Sequence, residues 1–285
     1  MNPPLSPDLL ENILLRLGLR QRPDATPEGL AQLYHRWCRS VPFDNILKLV
    51  HLRTGSQGPL PGTTAGDFFQ SWLATGAGGT CWAGANALHA LLTSLGFHAE
   101  RGISTMMAAP NIPPNHGTVR VNFGGHSVLV DSSILHDEPL PLAGSGTFPA
   151  GGPASRVNLH HPAGDSVVVN WRPLHQPDGF DCRLGTFGAT HEQYAAIYEA
   201  TRGWSPFNYQ LTARINRGDV VTGVSFGKAV TLFADREPEV REIGHAERIR
   251  ILIEDIGISR ELAELLPEDQ PTPAPPGSST ASQAA

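Results

Sequence analysis

The sequence predicts an α+β fold in which helices come first and strands follow. Up to Gly96, apolar residues recur at the three- and four-residue spacing of amphipathic helices. After Gly96 they alternate with polar residues, as in strands, and residues 256–267 predict a closing helix. The chain has 285 residues, of which 40% are hydrophobic. That amount of apolar material is enough to bury a sizeable core.

The helices of the first third have recognisable starts and ends. The Ser-Pro pair at 6–7 and the Thr-Pro pair at 26–27 each combine an N-cap residue with proline at the first helical position. A shorter helix is predicted over residues 67–73. The next covers residues 82–95 and stops at Gly96, because glycine readily adopts the left-handed conformation that ends helices.

The strands begin with a predicted hairpin. HGTVRVNF at 116–123 and HSVLVD at 126–131 flank two glycines, a combination that favours a two-residue turn. The proline-, serine- and alanine-rich end, residues 268–285, predicts a disordered tail. Further strands are predicted at 166–171, 209–215, 220–226 and 229–233.

Composition and charge exclude several classes of protein. The net charge is -6 and the pI is about 6.0, so no basic field attracts the whole chain to nucleic acid or to an anionic membrane. No apolar run approaches the roughly 18 residues of a membrane span, and the N-terminus lacks the layout of a secretory signal. Three cysteines without a CxxC spacing argue against disulfides and zinc, and predict reduced thiols in a cytoplasmic protein.

One of the three cysteines has an unusual setting. The segment GGTCW at 78–82 places Cys81 where a glycine-rich turn becomes a helix. The positive end of a helix dipole favours a thiolate, which is the form that nucleophilic catalysis needs. A small buried residue at a helix start is the structural alternative. Cys38, in an amphipathic helix, is predicted to be a core residue, and Cys182 is predicted to be structural.

The predicted hairpin selects one histidine among twelve as the base. With residues 124–125 as a two-residue loop, Asp131 lies opposite Thr118, and His116 lies two residues from Thr118 on the same strand. His116 and Asp131 therefore share a face as diagonal neighbours, roughly 7–8 Å apart along the backbone. His126 is an odd number of residues from Asp131 and points to the other face, unless a β-bulge intervenes.

Together these residues form a candidate Cys–His–Asp set with a known division of labour. His116 would accept the proton of Cys81 and later return one, while Asp131 would fix the orientation of the imidazole. Taken separately, His116 could be a polar residue at a strand start and Asp131 a residue that ends a strand. The pair at 160–161 is too isolated to predict a metal site, so no metal is expected.

Several motifs resemble the arylamine N-acetyltransferase family in order and spacing, over roughly residues 5–267. Pro42-Phe43-Asp44-Asn45 resembles a PFEN-type motif, and Ala77-Gly78-Gly79-Thr80-Cys81 resembles an RGGxC motif that opens a helix. The other matching landmarks, in chain order, are Leu95-Gly96-Phe97, His116, Val130-Asp131, Ser205-Pro206-Phe207 and the GISRELAELLP helix.

The resemblance implies a three-part structure and a two-step reaction. It implies a helical domain over residues 1–97, a β-barrel over 98–200 and an α/β lid over 201–267. It also implies ping-pong chemistry, in which acetyl-CoA acylates Cys81 and an arylamine, arylhydroxylamine or hydrazine takes the acyl group. Phe43, from the PFEN-type motif, and Phe123, in the hairpin, are the predicted substrate contacts, although both could be core aromatics.

The CoA-binding residues are harder to predict. A glycine-rich loop at 144–152 is a candidate for the approach of the CoA pyrophosphate, although glycines in surface loops often only allow a turn.

The sequence departs from the family pattern around the cysteine. The arginine of RGGxC is Ala77, and the glutamate of PFEN is Asp44. The family's glutamate two residues after the cysteine is Ala83, and its asparagine four residues after is Ala85, with Asn86 one position later. These changes leave the nucleophile, base and orienting acid in place but alter the residues around them.

Three alternative functions remain open on these residues. The altered surroundings of the cysteine make a second candidate credible: an amide synthase that releases a polyketide chain from an acyl carrier protein. A transglutaminase- or protease-like hydrolase has the same Cys–His–Asp order but not the PFDN and SPF landmarks. A binding module without activity is disfavoured, because all three chemical positions are occupied.

Overall fold

The computed structural model describes residues 5–109, 111–144, 147–150, 154–161 and 166–274. Its α-helices are α1 (Pro7–Arg16), α2 (Pro27–Ser40), α3 (Ile46–Arg53), α4 (Ala65–Thr75), α5 (Cys81–Ser94), α6 (His191–Ala200), α7 (His245–Arg250) and α8 (Arg260–Glu264). Its strands are β1 (Phe43–Asp44), β2 (His98–Met106), β3 (His116–Phe123), β4 (His126–Val130), β5 (Leu140–Pro141), β6 (Thr147–Ala150), β7 (Val157–His160), β8 (Val168–Trp171), β9 (Phe180–Phe187), β10 (Thr212–Asn216), β11 (Val220–Ser225), β12 (Lys228–Phe233) and β13 (Glu239–Glu242).

The N-terminal helices form where the cap signals predict them. The side-chain oxygens of Ser6 and Thr26 accept hydrogen bonds from the backbone amides three residues later, at the starts of α1 and α2. Helix α4 begins before the predicted 67–73 because Thr64 provides a third N-cap, and it ends later, at Thr75, before the left-handed Gly76. Helices α3, α6 and α7 were not predicted. Helix α6 has a complete capping box formed by Thr190 and Gln193, which is readable from the sequence.

The predicted hairpin forms with the expected register. In β3 and β4, Phe123 lies opposite His126 and Val119 lies opposite Val130. The two strands belong to an eight-stranded antiparallel sheet with the order β5-β4-β3-β2-β9-β8-β7-β6. Helix α5 packs against β2 and β3, so the start of α5 lies beside the strand that carries His116.

The second sheet connects the last part of the chain to the first. It has five antiparallel strands in the order β1-β10-β11-β12-β13. Strand β1 comes from the N-terminal third, yet Phe43 lies opposite Arg214 of β10 and also bridges Gly79 in parallel. A hydrophobic cluster that includes Ile251 and Leu252 packs helices α7 and α8, and the π-helical turn Ile251–Ile256 between them, against this sheet.

The observed architecture is the predicted α+β class, but part of the predicted tail is ordered. Residues 268–274 lack regular secondary structure, yet they are bound to the five-stranded sheet region. The Asp269 carboxylate accepts a hydrogen bond from the Leu211 amide at 2.9 Å and pairs with the nearly buried Arg248 at 3.3 Å. The rest of the predicted tail lies outside the described residues.

Two features are absent from the described part of the chain. No helix there is long and apolar enough to cross a membrane. No group of three or more histidine, cysteine, aspartate or glutamate side chains there could hold a metal ion.

Candidate active site

Cys81 and His116 line a cavity of about 380 Å³ where three parts of the fold meet. Cys81 comes from helix α5, Trp171 from the eight-stranded sheet, and Phe43 and Arg214 from the five-stranded sheet. The wall consists mainly of aromatic and other apolar side chains. The nucleophile predicted from the sequence is therefore not walled off, although only 4% of Cys81 is exposed.

The turn that precedes Cys81 is held by the buried carboxylate of Asp44. Its Oδ2 accepts a hydrogen bond from the Gly78 amide at 2.7 Å, and its Oδ1 accepts one from the Ile46 amide at 3.0 Å. Burial raises the pKa of Asp44 to about 7, although both amides act to lower it. A Cβ atom on residue 78 would lie 1.9 Å from the Pro42 carbonyl oxygen, so only glycine fits there.

His116 and Asp131 are in direct contact in the interior of the protein. His116 Nε2 lies 2.7 Å from Asp131 Oδ2, and both residues are 1% exposed. Asp131 Oδ1 accepts hydrogen bonds from the amides of Ser133 at 2.8 Å and Ile134 at 2.9 Å. With both oxygens occupied, the carboxylate has one orientation available, and it fixes the imidazole.

The electrostatics of this pair favour an ion pair between imidazolium and carboxylate. Burial by itself would lower the pKa of His116, but the charge and the hydrogen bond of Asp131 raise it, and the neighbouring Cys81 thiol adds to the rise. Burial would raise the pKa of Asp131, but the His116 charge and hydrogen bond and the two backbone amides lower it. A positive imidazole beside the sulfur would stabilise a thiolate.

Cys81 is the first residue of α5 and completes the arrangement. It lies close enough to the His116 ring to raise the pKa of the imidazole, and its Sγ lies 3.7 Å from the Asn115 carbonyl oxygen. The three residues predicted from the sequence are therefore adjacent, in the order nucleophile, base and orienting acid. Their catalytic roles remain a prediction.

The comparisons with known proteins concern the fold and the family. Residues 26–147 match a family model described as N-acetyltransferase. Arylamine N-acetyltransferases of known structure superpose over most of the chain, and a search of curated proteins gave no significant match. The chain has the arylamine N-acetyltransferase fold.

The structural similarity is high while the sequence similarity is low. The enzyme from Nocardia farcinica has a TM-score of 0.75 at 19% identity, covering 90% of this chain and 92% of that one. The enzyme from Mycobacterium abscessus has a TM-score of 0.74 at 18% identity with the same coverage. The one from Salmonella typhimurium has a TM-score of 0.74 at 15% identity, covering 92% and 98%. The resemblance and the fold class are confirmed, and the family-model match supports the expectation of an N-acetyltransferase.

The two predicted substrate contacts lie in different places within this fold. Phe43 lines the cavity and packs edge-on against Phe207, with ring centroids 5.5 Å apart. Phe123 does not belong to the described cavity wall. It lies at the end of β3, beside the exposed turn, where it packs against Phe97 and His126. The hairpin that brings His116 to the site carries Phe123 away from it.

The altered positions around Cys81 face the protein interior. Ala83 and Ala85 are buried and are not among the described residues of the cavity wall. Asn86 is also buried, where its side chain accepts a hydrogen bond from Arg101 Nε at 2.9 Å and donates one to the Thr63 carbonyl oxygen. These departures from the family pattern therefore change buried residues of helix α5 and not the described cavity wall.

The remaining candidates lie outside the site. Cys38 and Cys182 are fully buried, and burial raises the pKa of both thiols. His126 is exposed at the hairpin turn, as its register predicted. In the glycine-rich segment at 144–152, proposed for the CoA pyrophosphate, residues 147–150 form strand β6, whereas 145, 146, 151 and 152 lie outside the described residues.

Lys48 is a cavity residue that sequence reasoning missed. It is 3% exposed, and its Nζ donates a hydrogen bond to Thr201 Oγ1 at 2.9 Å and lies 5.7 Å from the centre of the Tyr198 ring. Burial lowers its pKa to about 7, partly offset by the nearby Cys81. The available signal was a lysine inside the apolar run ILKLV, directly after the PFDN motif.

Lys48→Met is expected to stabilise the fold by up to about 5 kcal/mol at pH 6, because the pKa of Lys48 falls from 10.5 to about 7 and one pKa unit corresponds to about 1.4 kcal/mol. The lysine of the unfolded chain holds its proton up to a pKa near 10.5, whereas the folded one loses it near 7. The cost of burying the charge is therefore fully present below pH 7 and decreases as the pH rises towards 10.5. Chemical denaturation at pH 6 and pH 9 measures both values.

The exposed Lys228 provides the matched control. Lys228→Met is expected to change stability by less than about 0.5 kcal/mol at either pH. If Lys48→Met does not raise the free energy of unfolding at pH 6, or raises it equally at pH 6 and pH 9, Lys48 is not a desolvated amine.

Proposed function

We propose that this protein transfers an acyl group from acetyl-CoA to an aromatic amine, arylhydroxylamine or hydrazine through a thioester on Cys81. The observation that carries the proposal is the contact chain from the Cys81 thiol to His116 to Asp131 at the wall of an apolar cavity. The family-model match and the shared fold support the same chemistry.

In the first half-reaction, the Cys81 sulfur would attack the thioester carbonyl carbon of acetyl-CoA. His116 takes the thiol proton, and Asp131 stabilises the resulting imidazolium. The tetrahedral intermediate collapses with cleavage of the bond to the CoA sulfur, which leaves with a proton from His116. The acetyl group then remains on Cys81 as a thioester.

In the second half-reaction, the acceptor nitrogen would attack the acetyl carbon on Cys81. His116, now neutral, accepts the proton from the nitrogen while the amide bond forms. The bond to the Cys81 sulfur breaks, and the thiol is regenerated. A single base therefore serves both halves, which requires the fixed position that Asp131 gives to its ring.

The aromatic side chains of the cavity support a flat, apolar acceptor. Phe43, Trp171, Phe180 and Phe226 line the same space as Cys81. Aromatic rings gain free energy from stacked and edge-on contacts beyond the burial of their surface. An aromatic amine or hydrazine would make such contacts with its ring while its nitrogen approaches the sulfur.

The direct test is mass spectrometry of the intact protein after addition of acetyl-CoA without acceptor. We expect a mass increase of one acetyl group, which peptide mapping assigns to Cys81. Subsequent addition of an aromatic amine is expected to remove the adduct and to release the acetylated amine. Absence of an adduct, or an adduct on Cys38 or Cys182, would contradict the proposal.

The alternative donors and acceptors can be tested in the same assay. An acyl group that transfers only from a carrier protein would indicate the amide synthase. Loss of the adduct to water without an amine would indicate a hydrolase. The comparisons give no support to either alternative.

A further inference from the structure

Arg214 is the cavity residue with the least satisfied side chain. It is 3% exposed, and its Nε and Nη2 groups are buried without a hydrogen-bond partner among the described residues. Its remaining polar contact runs from Nη1 to the Arg172 carbonyl oxygen at 3.5 Å, the upper limit for a hydrogen bond. The guanidinium carbon lies 5.0 Å from the centre of the Trp171 ring.

Other partly buried arginines of the chain have partners. Arg39 forms a two-pronged pair with Asp137 at 3.0 and 2.8 Å, and Arg101 donates to Asn86 at 2.9 Å. Leaving a buried charged donor unpaired costs free energy, which a ligand recovers when it accepts the hydrogen bond. The free N–H groups of Arg214 are therefore matched to an anionic acceptor inside the cavity.

The fold places Arg214 close to the reacting sulfur. Arg214 lies opposite Phe43 in the β1–β10 pair, and Phe43 bridges Gly79, two residues before Cys81. Two strand spacings of about 4.8 Å separate the backbone of Arg214 from that of Gly79 by roughly 10 Å. Side chains directly opposite in an antiparallel pair point to the same face, and both Phe43 and Arg214 line the cavity.

This position limits which anion can reach the guanidinium. The phosphates of CoA lie a full pantetheine arm away from the thioester, so they cannot lie beside Cys81 while the acyl group is transferred. A carboxylate on the acceptor or on the acyl group is small enough. The planar guanidinium fork matches the two oxygens of a carboxylate.

Resting on the proposed function, we propose that Arg214 binds the carboxylate of a substrate in the cavity beside Cys81. The aromatic cavity wall favours an aromatic amine that carries this carboxylate as the acceptor. A dicarboxylic acyl group on CoA has the same chemistry, and the experiments below separate the two sources.

The acceptor arm compares 4-aminobenzoate with the neutral 4-aminobenzamide. We expect wild type to prefer the carboxylate in kcat/KM by about 10- to 100-fold, the value of hydrogen bonds to a charged group. Arg214→Gln is expected to remove this preference, and Arg214→Lys to keep part of it. Because the result is the ratio of kcat/KM for the two amines, a general loss of activity in a variant does not change it.

The exposed Arg217, three residues along the chain, provides the matched control. Arg217→Gln is expected to leave the preference unchanged. If Arg214 acts only by supporting Asp131 through its charge, Arg214→Gln lowers kcat/KM for both amines by the same factor. The ratio of the two kcat/KM values then stays constant. That result would overturn the proposal.

The binding arm needs no acetyl transfer, so it separates this proposal from the proposed function. Calorimetry is expected to give tighter binding of benzoate than of benzamide to wild type, and equal binding to Arg214→Gln. The donor arm compares adduct formation from succinyl-CoA and acetyl-CoA. If Arg214→Gln lowers adduct formation from succinyl-CoA but not from acetyl-CoA, the carboxylate bound by Arg214 belongs to the acyl group.

The proposal fails if wild type shows no carboxylate preference in any arm. Wild-type measurements alone decide this, so an Arg214 variant that does not fold leaves the test intact.

Discussion

Cys81→Ser is expected to reduce acetyl transfer by at least about 10⁴-fold, a loss comparable to removal of the nucleophile in other covalent enzymes. A hydroxyl is a much weaker nucleophile than a thiolate at neutral pH, and one imidazole does not ionise it. The serine side chain is slightly smaller and adds no volume at a residue that is 4% exposed. We therefore expect folding to be retained, which circular dichroism and thermal unfolding measure beside the turnover assay.

Cys182→Ala is the matched control for this variant. Cys182 is also buried, but it packs in the hydrophobic cluster of the eight-stranded sheet and does not line the described cavity wall. The control is expected to lose some stability and to keep the Cys81 adduct. If Cys81→Ser retained more than a few per cent of wild-type turnover, covalent transfer through this sulfur would be wrong.

The parts of the site that were predictable depend on local rules. The register of β3 and β4 follows from two glycines between alternating segments, and the register places His116 and Asp131 on one face. The position of Cys81 follows from a glycine turn before a helical pattern. In each case the geometry is determined by residues that are close in sequence, so it can be predicted from a single sequence.

The parts that were missed depend on contacts between distant segments. Arg214 reaches the cavity because β10 pairs with β1, across 170 residues of chain, and no local pattern announces that pairing. Lys48 lies on α3, whose start is set by the same strand. Phe123 shows the opposite error, since a hairpin residue was assigned to the site without knowing which end of the hairpin faces the cavity.

The altered motif around Cys81 is consistent with these contacts. Asp44 replaces a longer acid and Ala77 replaces an arginine, yet the Asp44 carboxylate holds the Gly78 turn by accepting its amide directly. The lysine and the arginine of the described cavity wall, Lys48 and Arg214, come from other elements.

His116→Ala is expected to reduce turnover by about 10³-fold, within the range for a general acid–base residue. The variant removes the acceptor of the thiol proton and leaves the Asp131 carboxylate buried without its cationic partner. Removal of one member of a buried pair is also destabilising, by about 3 kcal/mol or more. Adduct formation from acetyl-CoA, followed by stopped-flow mass spectrometry, separates the chemical loss from unfolded protein.

His126→Ala is the discriminating comparison, because the two histidines belong to the same hairpin. His126 is exposed and stacks on Phe123, with ring centroids 5.5 Å apart, on the side away from the site. We expect this variant to keep wild-type turnover within about twofold and to change stability by less than about 1 kcal/mol. A β-bulge between His126 and Asp131 would exchange the two outcomes, because one extra residue in this strand would turn His126 to the face of Asp131. The pair of variants therefore tests, in solution, the strand register on which the assignment of the base depends.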